Sequence, residues 1–81
     1  MRLSRIMKLL ERCRVMVQGH YENESCIDSR LEYDSVGSLW TASISRISEP
    51  SQFSVQAKKA GNAVKMLKTL IIIKLGEVSN A

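Results

Sequence analysis

The stretch CIDSRLEYDSVGSLWTASISRI, residues 26–47, decides the fold. In its first part Ile27, Leu31 and Tyr33 alternate with Asp28, Arg30, Glu32 and Asp34. Successive strand side chains point to opposite faces, so the alternation predicts a strand over residues 26–34 with one face buried and the other in water. Trp40, Ala42 and Ile44 alternate in the same way with Thr41, Ser43 and Ser45, which predicts a second strand over residues 39–47. Ser35-Val36-Gly37-Ser38 between them has the composition of a turn, so the pair reads as an antiparallel hairpin with Trp40 as the large inward-facing aromatic of the central strand.

Working outward, Ser48-Glu49-Pro50-Ser51 interrupts the pattern, because proline lacks an amide donor and restricts the residue before it. Phe53, Val55 and Ala57 then alternate with Gln52, Ser54 and Gln56, giving a third strand over residues 52–57 and a meander. Beyond Lys58 the spacing becomes helical, with Ala60, Ala63, Val64, Leu67, Leu70, Ile71 and Leu75 on one stripe and Gly76 as the stop. Gly61 weakens the start by about 1 kcal/mol relative to alanine, and Asn62 is an alternative N-cap. The β-branched run Ile71-Ile72-Ile73 also suits a strand, but helix is the preferred reading. Before the hairpin, Leu3, Ile6, Met7, Leu10, Cys13 and Val17 mark an amphipathic helix over residues 3–18, stopped by Gly19. Arg5, Lys8 and Arg12 project from its other side. The expected fold is a single α+β domain over residues 1–81, helix, three-stranded antiparallel meander, helix (αβββα). Both helices are expected on the face made by Ile27, Leu31, Tyr33, Trp40, Ala42, Ile44, Phe53, Val55 and Ala57.

Composition agrees with one small domain. At 81 residues, 44% apolar and 25% charged, the chain is too apolar for disorder and too poor in proline and glycine for a linker. A chain this short buries only about 60–65% of its unfolded surface, so a homodimer is expected. The arc on the last helix from Met66 through Leu70 and Ile71 to Leu75 is wider than one sheet needs, with Ile72 and Ile73 outside it. Cys13 and Cys26 lack the spacing of a disulfide framework and read as free thiols. Arg5 and Lys8 break up the first apolar residues, which argues against a signal peptide. The longest apolar run, residues 70–73, is far too short to span a bilayer. The localisation these features suggest is cytoplasmic.

Charge divides the chain into thirds. Residues 1–20 carry five basic groups against Glu11, a net +4. Residues 21–57 carry Arg30 and Arg46 against six acids, a net −4, and residues 58–81 carry five lysines against Glu77, again +4. Such asymmetry speaks to partners rather than to fold.

The residues offer little for catalysis, and no enzyme is expected. His20 is the one histidine, with nothing in the spacing to supply a nucleophile or an orienting partner. Glu22, Glu24, Asp28, Glu32 and Asp34 are read as solvated carboxylates of ordinary acidity. The glycines are scattered, so no phosphate-cradling loop exists and no cofactor is expected. Cys13, His20 and Cys26 are seven and six residues apart, too far for paired metal ligands, and no metal is expected. Asn23-Glu24-Ser25 matches a glycosylation acceptor but has no meaning without export. Nucleic acid is a stronger candidate, since ten of twelve basic residues lie in or just before the two helices. The outer sheet face carries no aromatic group for base stacking, so such contact falls to the helices and loops.

The order helix, three strands, helix, with Lys58-Lys59 entering the last helix, resembles the double-stranded RNA-binding domain over nearly the whole chain. That family has a further lysine three residues after the pair, where this chain has Asn62, and a Pro and a His in the first hairpin turn that residues 35–38 lack. The resemblance implies a shared architecture and, for function, phosphate contacts by Lys58 and Lys59. The strand-to-helix ending is also similar to small antitoxin-like and phage-encoded domains, by fold analogy alone. The function expected first is a non-catalytic binding domain acting on a protein partner as regulator, inhibitor or assembly factor. Its docking face would be the acidic strand with Asp28, Glu32 and Asp34. The alternative is a nucleic-acid binder contacting the phosphate backbone through Arg5, Lys8, Arg12, Lys58 and Lys59.

Overall fold

Tyr33 stands opposite Trp40, Leu31 opposite Ala42, and Ala42 opposite Val55, so the apolar residues of the strands, apart from Leu39 opposite Asp34, fall on one face of a single sheet. In the computed structural model, which describes residues 2–49 and 52–79, the chain runs α1 (Leu3–His20), β1 (Asp28–Asp34), β2 (Leu39–Ser45), β3 (Phe53–Ala57), α2 (Ala60–Ser79). The strands form one antiparallel sheet in the order β1-β2-β3. This is the αβββα arrangement that the alternation and the two helical stripes predict. Both helices pack on the apolar face and against each other, α2 over β3 and β2, α1 over β1 and β2. The opposite face, with Asp28, Arg30, Glu32, Asp34, Thr41, Ser43, Ser45, Ser54 and Gln56, remains open.

Ile6, Leu10, Cys13 and Val17 of α1 meet Ala63, Val64, Leu67 and Ile71 of α2 and Ile27, Ala42, Ile44 and Phe53 of the sheet in one cluster. The α1 stripe is narrower than its sequence suggests, since Leu3 and Met7 are exposed. Met7 lies about 100° round the helix from Ile6, off the seam that faces the sheet. Trp40 has the predicted phase but sits at the rim, half-buried, its ring 5.1 Å from that of Tyr33. Phe53, fully buried, is the aromatic centre instead.

Both predicted glycine stops fail. α1 runs through Gly19 to His20, and α2 through Gly76 to Ser79. A glycine ends a helix by adopting a left-handed conformation, and no described glycine has positive φ. Asn62 is not the cap of α2, because the helix begins at Ala60, and the Ala63 amide already donates to the Lys59 carbonyl at 3.0 Å. The Ile71-Ile72-Ile73 run is helical. Among the described residues, no helix is long and apolar enough to cross a membrane.

In the hairpin turn the left-handed residue is Ser38 (φ 54°) rather than Gly37. The Asp34 carboxylate folds back to accept the Val36 amide at 3.0 Å, and a Cβ on Gly37 would come within 3.1 Å of the same carboxylate. A side chain at position 37 would therefore require that carboxylate to give by a few tenths of an ångström, while the φ of Gly37 is open to any residue.

Candidate nucleic-acid interface

Helices that lie side by side on a sheet bury their facing stripes and turn their remaining side chains to solvent. Three grooves, neighbours of which share a lining residue, mark that outer surface. The first lies along α1 and is lined by Ser4, Arg5, Lys8, Leu9 and Arg12. Leu9 also lines a second, of about 190 Å³, with Cys13, Val64, Lys65 and Lys68 between the helices. Lys65 in turn lines a third, of about 530 Å³, with Ile6, Trp40, Lys58, Lys59, Gly61 and Asn62 at the start of α2. Arg5, Lys8, Arg12, Lys58, Lys59, Lys65 and Lys68 are all exposed, and no described acidic side chain lines any of the three grooves.

The fold thus sets basic residues of α1 and of the α2 region, more than forty positions apart in sequence, around grooves that share Leu9 and Lys65. The sequence reading of Arg5, Lys8, Arg12, Lys58 and Lys59 omits Lys65 and Lys68, which bridge the two groups. Their three-residue spacing on the polar side of the α2 stripe is the signal that could have found them. The one acid of α1, Glu11, is held by Arg14 at 2.6 Å, and that hydrogen bond keeps its carboxyl below the usual range. The first turn of α2 carries no acidic residue. Its free amides therefore add their partial positive charge beside Lys58 and Lys59.

The acidic strand is differently organised. Asp28, Glu32 and Asp34 share the open sheet face, as expected, but Arg30 stands among them with Nη1 3.7 Å from Glu32. Both members of that pair are about two-thirds exposed, which makes it a weak, screened contact. Asp34 is engaged by the turn.

Glu24 departs from its expected role as a solvated acid. It accepts from Arg46 Nε at 3.1 Å and Nη2 at 2.6 Å and from the Ser48 hydroxyl at 2.8 Å, and these bonds hold its carboxyl below the usual range. Arg46 is buried, lies over the Tyr21 ring at 3.4 Å and also donates to Gln52. The cluster ties the α1–β1 connection to the β2–β3 connection and is a structural device.

The Cys13 thiol is buried in the core, and burial pushes its pKa up, which makes it a poor nucleophile. His20 is exposed, edge-on to Tyr21. Among the described residues, no three His, Cys, Asp or Glu side chains are grouped to hold a metal ion. Comparison with protein-family models, curated proteins and solved structures finds no match to this chain.

Proposed function

We propose that this protein is a non-catalytic binding domain whose helix layer takes the phosphate backbone of duplex nucleic acid. The observation that carries the reading is the basic surface, five side chains from the two helices with Lys58 and Lys59 from the turn before α2, around grooves that share Leu9 and Lys65 and have no described acid among them. A backbone of closely spaced phosphates is the polyanion such a surface suits, and contacts of this kind need no base readout. The open sheet face, polar and without aromatic groups, supports assigning the role to the helices.

Titration with a short duplex at several salt concentrations tests the proposal. If five contacts form, log affinity falls against log salt with a slope of about −4 to −5, and Lys58→Ala and Lys59→Ala each flatten it by about one unit. Absence of duplex binding at low salt overturns the reading.

A second reading, a protein partner that this domain regulates, inhibits or helps assemble, rests on a different observation. Asp28, Glu32 and Asp34 line up on an uncovered sheet face, which suits a basic protein surface. Glu32→Lys with Asp34→Lys would abolish that association while leaving duplex affinity equal or higher.

A further inference from the structure

The groove at the start of α2 contains a group that backbone contact does not use, an aromatic ring. Trp40 stands opposite Ala57 on β3 and opposite Tyr33 on β1, so the three form one row across the helix-side face of the sheet. The row lies where β2 begins and β3 ends, and there the helices cover it incompletely. Trp40 is half-buried, and Tyr33, outside the core cluster, is 53% exposed. Their rings are 5.1 Å apart and tilted by 51°. The chain leaves β3 at Ala57, directly across from Trp40, and Lys58 and Lys59 follow at once. Trp40 and Ile6 therefore share the walls of a groove of about 530 Å³ with Lys58, Lys59, Asn62 and Lys65. A concavity of this order accommodates a group the size of a small-molecule ligand. Among the described residues, none of the three lysines has a carboxylate partner.

We propose that this groove takes an unpaired nucleotide at the end of a duplex, its base against Trp40 and its phosphate at the lysines, an assignment that rests on the duplex reading above. A half-buried indole lining an open groove offers a surface on which any base stacks, and the ammonium groups beside it neutralise the phosphate of the same nucleotide. Bases inside a duplex are paired and stacked on one another. A protein surface that meets the backbone therefore reaches the face of a base only where a strand ends unpaired. What adjoins the groove selects the polymer over a free nucleotide. Lys65 also lines the groove between the helices, and Leu9 links that one to Arg5, Lys8 and Arg12. A single nucleotide leaves this run of charge unused, whereas the phosphates of an attached duplex match it.

Trp40 is the one tryptophan of the chain, so its fluorescence reports on the groove directly. The test is titration of the full chain with a DNA duplex bearing a short adenine overhang, and with the same duplex whose overhang is abasic, which keeps every phosphate and removes the bases. The adenine overhang is expected to bind about fivefold tighter or more and to quench Trp40 emission, while the abasic one binds with the emission unchanged. Trp40→Leu, read by the anisotropy of a labelled duplex, should abolish the preference and leave the affinity for the abasic duplex as it was. Should that variant fail to fold, the wild-type affinities and emission decide. Equal affinity for the two duplexes, unquenched emission, or a preference that Trp40→Leu retains overturns the proposal and leaves the backbone reading standing. Adenosine monophosphate binding as tightly as the adenine overhang overturns the assignment to a strand end. Binding of neither duplex at low salt overturns the backbone reading and this assignment with it.

Discussion

Phe53 and Trp40 occupy the same sheet face, yet burial separates their energetic roles. Phe53 is completely buried, so Phe53→Ala removes a ring from the centre of the core and should cost about 3–5 kcal/mol, enough to unfold most of the population. Trp40 retains solvent on one side, and Trp40→Ala should cost about 1–3 kcal/mol. Urea midpoints for the two variants check the order. The Glu24–Arg46 pair gives a pH signature. Because the folded pKa of Glu24 lies below its unfolded value, its contribution is present above the ordinary carboxylate range and is lost as pH falls through the lowered folded value. Glu24→Gln should therefore lower the urea midpoint near neutral pH, and its difference from wild type should shrink in acid. Arg46→Lys should also destabilise, since an ammonium cannot reproduce the forked contact with both carboxylate oxygens.

At the scale of elements, α2 is long but carries Gly61 and Gly76 within it. A Cβ at Gly76 would meet nothing within 4 Å, so Gly76→Ala should stabilise by up to about 1 kcal/mol and raise the melting temperature, as read by circular dichroism. Ser38→Gly should also stabilise, because Ser38 holds a left-handed φ that glycine adopts freely. The strands and their phase were legible in the sequence because alternation reports which side of a strand is wet. Ile27, Leu31, Ala42, Ile44 and Phe53 all fall inward as that pattern requires. The boundaries were less legible. Whether Gly19 and Gly76 end their helices depends on a backbone angle that spacing does not encode. β2 ends at Ser45, and the next residue, Arg46, pairs with Glu24 across twenty-two positions, a contact that no local pattern announces. The same limit hid part of the basic surface. Arg5, Lys8 and Arg12 could be placed on one helix face from spacing alone, but only the packing of α1 on α2 brings Lys65 and Lys68 alongside them.

As a whole molecule the domain is polar in the electrical sense, with a basic helix layer on one side of the sheet and Asp28, Glu32 and Asp34 on the other. Of the six acids in the middle third, Asp28, Glu32 and Asp34 share that open face with Arg30, while Glu24 is held in the α1–β1 connection by Arg46. Such a dipolar surface orients a polyanion toward the helices before contact and disfavours its approach to the sheet. The measurement that tests the central claim most directly is amide chemical-shift mapping of the labelled protein during titration with a short duplex at low salt. Binding by the helix layer is expected to shift residues 4–12 and 58–68 and leave the outward-facing positions of β1 and β2 unmoved. Shifts concentrated around Glu32, Ser43 and Ser54, or no shifts at all, would contradict it.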